Sequence, residues 1–405
     1  MNEGLTGCRS SRRSFLQVGT GISAALATGV LTESLLAAAA VPKSYPKNAV
    51  VIDANENPLG PCMAAREAVA KIAADGGRYA TWLTEDLVKL FAAKEGLKPE
   101  YVDAYAGSSL PLHVSVLAFC GPGKSFVTAD PGYEAGMRAA TIAGAKTVKI
   151  PLTTTYAHDV KAMTAVQDAG LIYLCTPNNP TGTLTNHADI EFALQNKPKG
   201  AILLVDEAYI HFSDATSAID FVKADRDLIV LRTFSKIYGM AGLRCGLAIG
   251  RPDLLEKIGR FAGWNAMPVT AVEAARASLN DTQLVAERKK INASVRGEVF
   301  EWLDKNGYRY IPSVSNCFML ETNHPAKEVI EAMRTQNVYI GRVWPSLPTH
   351  VRVTVGTLPE MERFQAAFLD VMHGKVQAKA AAMVEPKRSN GLDGLRVRGV
   401  FGERG

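Results

Sequence analysis

Apolar residues along this chain come in short runs separated by polar stretches with helical periodicity, and the alternation is regular between residues 102 and 249. Runs at 125–128, 147–150, 170–174, 201–205, 228–231 and 245–249 have the length and aliphatic content of strands buried on both faces. Segments beside them, such as 112–119 ahead of the first, read as helices. Such alternation predicts a mostly parallel sheet covered by helices on both sides, with functional loops at the strand ends. Ahead of it lies an arm rich in Pro and Asn over 41–61, then helical patterns at 63–74 and 84–94, the first stopping before Gly76-Gly77. Beyond it come helices at 252–260 and 269–279 and a long connecting helix at 282–306. A smaller α+β unit follows, with strands at 308–311, 317–321, 338–341 and 351–355 and helices at 325–335 and 359–373.

Both ends break this pattern. Ser11-Arg12-Arg13-Ser14-Phe15-Leu16 is a paired-arginine head, followed by a mildly apolar stretch and the small residues Ala37 to Ala40. It reads as a twin-arginine export signal over 1–40, because Gly19, Gly21, Gly29 and Glu33 interrupt the stretch too often for a stable membrane span. The expected destination is the periplasm or another exported location by way of the export machinery, or the cytoplasm if the signal is not used. Residues 377–405 carry no clear periodicity and are expected to form a disordered tail. The remaining divisions expected are an N-terminal arm with part of the small domain at 41–78, a large domain at 79–280 and the small domain at 281–376.

Composition adds bounds. With 405 residues, 47% hydrophobic and 21% charged, the chain has material for a large core or two coupled ones. A net charge of +5 is modest, and the basic residues are scattered without interleaved aromatics, so no nucleic-acid partner is expected. Six cysteines show neither paired nor metal-ligand spacing, which favours buried free thiols and no metal site.

Against this background the stretch from Thr233 to Arg244 stands out. Lys236 offers an amine for imine chemistry, and Thr233, Ser235 and Arg244 offer a phosphate charge-assisted hydrogen bonds. A solvent-facing Lys and Arg in a Gly-containing loop is the competing reading. Asp206, in Val205-Asp206-Glu207-Ala208-Tyr209, ends a strongly apolar run, where a carboxylate needs a cationic or protonated partner unless it merely caps a helix. Asn178-Asn179-Pro180-Thr181-Gly182 holds its amides on a stiff backbone, as a plain Asx-turn also does. Gly107-Ser108-Ser109 opens a helical run and suits either a phosphate at a helix N-terminus or a capped helix without a ligand.

The ordered set Asn55-Glu56-Asn57-Pro58, Gly107-Ser108, Asn178-Asn179-Pro180-Thr181-Gly182, Asp206 to Tyr209, Ser235-Lys236, Arg244 and Arg352 resembles the fold type I pyridoxal-phosphate aminotransferases, closest to the histidinol-phosphate aminotransferase branch of class I/II. It covers about residues 51–374. The resemblance implies an α/β protein with a three-layer α/β/α sandwich, a mostly parallel seven-stranded sheet in the large domain and a smaller α+β C-terminal domain. It implies pyridoxal 5'-phosphate bonded to Lys236, with Asp206 at the ring nitrogen and Asn179 and Tyr209 at the ring oxygen. Tyr133 would stack on the ring, and Ser108, Ser109, Thr233, Ser235 and Arg244 would surround the phosphate. Arg352 would grip a substrate carboxylate, with Arg342, Asn179 and Glu56 also at the substrate. Tyr79 would reach the phosphate of the other subunit in a homodimer with shared active sites.

The implied activity is transfer of an amino group from an L-amino acid or amino-phosphate to a 2-oxo acid by a ping-pong mechanism. Lys236, Asp206 and Tyr209 would carry the chemistry. A decarboxylase or oxidase of the same fold, or an exported cofactor-binding protein without turnover, would use the same residues. This chain departs from the family pattern at Ser109-Leu110, at Arg78-Tyr79-Ala80-Thr81, and in a short stretch from Arg342 to Arg352 that contains Trp344-Pro345-Ser346-Leu347-Pro348. Trp264, Asn265, Trp344, Tyr133 and Glu56 are candidates for a side-chain pocket, or for packing.

Overall fold

The structure, a computed structural model, describes residues 44–264 and 267–376. The expected signal at 1–40, the tail at 377–405 and Asn265 lie outside the described residues.

Strands are numbered along the chain: β1 Val50–Ile52, β2 Val102–Tyr105, β3 Ser125–Asp130, β4 Thr147–Pro151, β5 Ala169–Cys175, β6 Ile202–Asp206, β7 Leu228–Thr233, β8 Gly246–Gly250, β9 Tyr310–Ile311, β10 Cys317–Glu321, β11 Val338–Ile340 and β12 His350–Thr354. Seven of them form one sheet in the order β2-β8-β7-β6-β5-β3-β4. All neighbours run parallel except β8, which is antiparallel to both β2 and β7. Every residue of β5, β6, β7 and β8 is buried, as unbroken aliphatic runs require when helices cover both faces. Helix Ser109–Phe119 packs between Ala135–Ile142 and Pro252–Ala262, giving the three-layer α/β arrangement expected.

A second core forms around the three-stranded antiparallel sheet β12-β10-β9 and the parallel pair β1-β11. Helix Leu284–Lys305 joins the two, placing Leu284 in the large core and Val295, Val299 and Leu303 in the small one. Within the 41–78 segment β1 enters the small unit. Helix Met63–Ile72 packs instead on Val269–Asn280 of the large unit, because Ala65 and Cys62 present small surfaces that let the helices approach. Element bounds differ from the sequence pattern by a few residues. The helix expected at 112–119 begins at Ser109, since Pro111 is compatible with a first turn, and the strand expected at 308–311 keeps only Tyr310–Ile311.

Candidate active site

Parallel pairing brings the carboxyl ends of β5, β6 and β7 side by side, with Cys175 opposite Asp206 and Asp206 opposite Leu231. The loops that leave these ends carry Asn179, Tyr209 and Lys236, so residues far apart in sequence converge at one edge of the sheet.

Lys236 Nζ donates to the backbone carbonyls of Asn55 at 2.9 Å and Ala54 at 3.2 Å and lies 5.5 Å from the centre of the Tyr209 ring. Burial, helped by the Arg352 charge, lowers its pKa to about 8, which favours the neutral amine a nucleophile or base needs. Asp206 is buried and forms no ion pair among the described residues. Its Oδ2 accepts from the Tyr173 hydroxyl at 2.9 Å and its Oδ1 from the Ala208 amide at 3.1 Å. Burial raises its pKa to about 6 despite these bonds. A buried carboxylate that lacks a cation fits a group that brings a protonated nitrogen into the site.

A second cluster offers donors. Thr233 Oγ1 donates to Ser235 Oγ at 2.9 Å, and Arg244 Nη1 approaches the same oxygen at 3.5 Å while donating to the Ala241 carbonyl at 2.8 Å. Arg244 has φ +66°, and Gly107, at φ +89°, lies directly against its guanidinium. Ser108 is the N-cap of helix Ser109–Phe119 and makes no side-chain cap bond, which leaves the hydroxyl uncommitted at a helix N-terminus. Ser109 Oγ is 3.4 Å from the Tyr133 hydroxyl. Hydroxyls, an arginine and open helix amides together fit a phosphate.

At the third pole, Arg352 is buried and donates from Nη1 to Asn179 Oδ1 at 2.9 Å and from Nη2 to the Asp53 carbonyl. Arg342 pairs with Glu134 at 2.9 Å. Trp344 lies under both guanidinium groups and is fully buried.

Two of the expected site residues are exposed. Tyr79 is 68% exposed, its ring edge-on to the exposed Trp264. The Glu56 side chain is exposed, and only its backbone carbonyl is tied, by Asn316. A cavity of about 400 Å³ beside Thr233, lined by Phe91, His211, Arg232 and Tyr238, includes neither Lys236 nor Asp206.

Three contributors went unassigned in the sequence reading. Tyr173 supports Asp206, and its signal was a lone hydroxyl in an aliphatic strand. Asn55 has φ +54°, donates to the Tyr209 hydroxyl at 3.1 Å and accepts from Thr354 Oγ1 at 3.1 Å, so it links the arm to both units. Glu134, the residue after Tyr133, is the third.

Comparison with known proteins agrees with this arrangement. The family model for aminotransferases of class I and II matches residues 47–368. An aromatic amino acid aminotransferase of Cutibacterium acnes is 32% identical over 336 residues, covering 82% of this chain and 95% of the relative. A histidinol-phosphate aminotransferase of Moorella thermoacetica is 30% identical over 340 residues, covering 80% of this chain and 86% of the relative. The crystal structure of the histidinol-phosphate aminotransferase of Sinorhizobium meliloti in complex with pyridoxal-5'-phosphate superposes with a TM-score of 0.75 at 25% identity, covering 80% of this chain and 91% of that one.

Proposed function

The chain belongs to the class I and II aminotransferases and uses pyridoxal 5'-phosphate to move amino groups, and from that premise we propose how its own residues divide the work. Bound in the site, the cofactor supplies an aldehyde that takes up the donor's amino group and a ring that draws electrons from the donor Cα. Lys236 would hold the cofactor between turnovers through its amine and, when free, would serve as the base that takes the proton from the donor Cα. Asp206, kept in place by Tyr173 and the Ala208 amide, holds the ring nitrogen's proton. Tyr209 and Asn179 would hold the ring oxygen, and Tyr133 would lie against the ring. Ser108, Ser109, Thr233, Ser235 and Arg244 grip the phosphate, and Arg352 binds the carboxylate of the amino acid and then of the oxo acid. Arg342 and Glu56 border the substrate side chain.

The single observation that carries this division is Lys236. Its amine donates to the Asn55 carbonyl at 2.9 Å and the Ala54 carbonyl at 3.2 Å, 5.5 Å from the Tyr209 ring centre, and burial lowers its pKa to about 8. The experiment is a single-turnover reaction of the purified protein with a panel of amino acids, reading cofactor absorbance and released oxo acid. Lys236→Ala is expected to lose amino transfer by about 10⁴-fold or more. A variant that exchanges amino groups at the parent rate would remove Lys236 from this role.

The protein also works as a homodimer in this reading, with Tyr79 reaching the cofactor phosphate across the interface. Exposed aromatic surface at Tyr79, Trp82 and Trp264 supports that assignment. The paired arginines Arg12 and Arg13 support export of the folded chain with its cofactor on board.

A further inference from the structure

Two guanidinium groups share one indole at the substrate pole. Arg342 lies 4.8 Å and Arg352 5.4 Å from the Trp344 ring, which is anchored by its Nε1 donating to the Gly132 carbonyl at 3.3 Å. The two cations are not equivalent. Among the described residues Arg352 hydrogen-bonds only neutral acceptors, the Asn179 side-chain amide and the Asp53 backbone carbonyl, while the Nε of both guanidinium groups has no partner. Arg342 donates from Nη2 to Glu134 Oε2 at 2.9 Å, and the Glu134 side chain is only 9% exposed. Glu134 is the N-cap of helix Ala135–Ile142 yet makes no side-chain bond to that helix. The carboxylate is therefore committed to a guanidinium 208 residues away instead of to its own helix end.

We propose that Glu134 is a specificity-determining residue: by pairing with Arg342 it occupies the second guanidinium at this pole while Arg352, bonded to neutral acceptors, stays open to a carboxylate, and it selects amino donors with uncharged side chains over donors that carry a second anion. The inference rests on the reading of Arg352 as the carboxylate site. One substrate carboxylate then matches one free cation. A second anion, carboxylate or phosphate, has to strip Glu134 from Arg342 or sit beside a carboxylate that water barely reaches, and like charges held together at such a surface cost affinity. Burial and the neighbouring Arg342 already push Arg352 below the ordinary arginine range, so a ligand bringing a single negative charge relieves a standing cost. The flat Trp344 face between the two cations offers an uncharged side chain a surface for stacking.

The test compares ligands of nearly one shape that differ by one charge. L-glutamate and L-glutamine are offered as donors in single turnover, and glutarate and its monoamide are titrated by calorimetry as ligands that do not react. The wild type is expected to favour the member of each pair that carries one carboxylate. Glu134→Gln is expected to move the ratio of kcat/KM toward glutamate, and the ratio of Kd toward glutarate, by about tenfold or more, with the kinetic change carried in KM. Ratios that stay within twofold of the parent, or a change carried in kcat alone, would overturn the inference. If Glu134→Gln does not fold, the wild-type preference decides by itself: tighter binding of glutarate than of its monoamide overturns the proposal. Failure of the wild type to transfer an amino group from any amino acid would strike the broader functional assignment instead, which keeps the two failures apart.

Discussion

A carboxylate withdrawn from water without a cation resists ionisation, and Asp206 shows the effect, its pKa raised to about 6 by burial although two donors oppose the shift. The consequence for stability has a definite sign. Between the ordinary aspartate value of 3.8 and about 6 the folded chain holds a proton that the unfolded chain releases, so stability falls as pH rises through that window. In cofactor-free protein, Asp206→Asn should remove this loss. The variant is expected to lack the parent's fall in stability between about pH 4 and 6, as measured by denaturant unfolding across pH. The same variant should lose amino transfer by about 10²-fold or more, since the amide cannot hold the ring proton's charge. Much at this scale was legible in the chain: Lys236, Asp206 and Arg244 drew attention because of where they sit relative to apolar runs and glycines. Tyr173 did not, because the bond it makes depends on β5 and β6 pairing in one register.

At the scale of elements, the loops at the strand ends are shaped by local backbone needs. Gly107 adopts φ +89°, and a Cβ there would overlap the Arg244 guanidinium. Gly107→Ala should displace Arg244 from Ser235 and weaken retention of the cofactor about tenfold or more, read by equilibrium dialysis of the loaded protein. Behind the same edge, Glu207 is fully buried and pairs with Arg232 at 2.7 Å, while also accepting from the Ala218 amide at 2.6 Å and Ser217 Oγ at 2.8 Å. This network ties β6 and β7 to the helix Ile219–Lys223. Glu207→Gln leaves a buried guanidinium without its counter-charge and is expected to cost about 3–5 kcal/mol in denaturant unfolding. Helices and strands themselves were readable, because alternation and helical spacing report burial directly. Their ends shifted by a few residues, as at Ser109, because capping and first-turn prolines allow several start points.

For the whole molecule, the helix Leu284–Lys305 and the residue Asn55 tie the two cores together, so the site is built from both. Arg352 comes from the small unit and Lys236 from the large one, and the arm carrying Asn55 lies between them. The export proposed from Arg12 and Arg13 belongs to this scale as well, since a twin-arginine route carries a finished fold. Replacing Arg12 and Arg13 together by Lys is expected to hold the protein in the cytoplasm with its cofactor bound, as measured by cell fractionation and absorbance of each fraction. Equal amounts of parent and variant outside the cytoplasmic membrane would refute that route.

What the sequence by itself determined is the class of fold and the kind of chemistry. Short aliphatic runs alternating with helical segments fit a sheet buried on both faces, and a lysine, an aspartate and an arginine placed where such strands end suit a phosphorylated aldehyde. What only the tertiary structure decided is which side chains meet. Asn55 with Tyr209 and Thr354, Tyr173 with Asp206, and Glu134 with Arg342 are contacts between groups 33 to 299 residues apart. No local periodicity encodes them, because they depend on register, on the direction each side chain leaves its strand and on how the small unit seats against the large one.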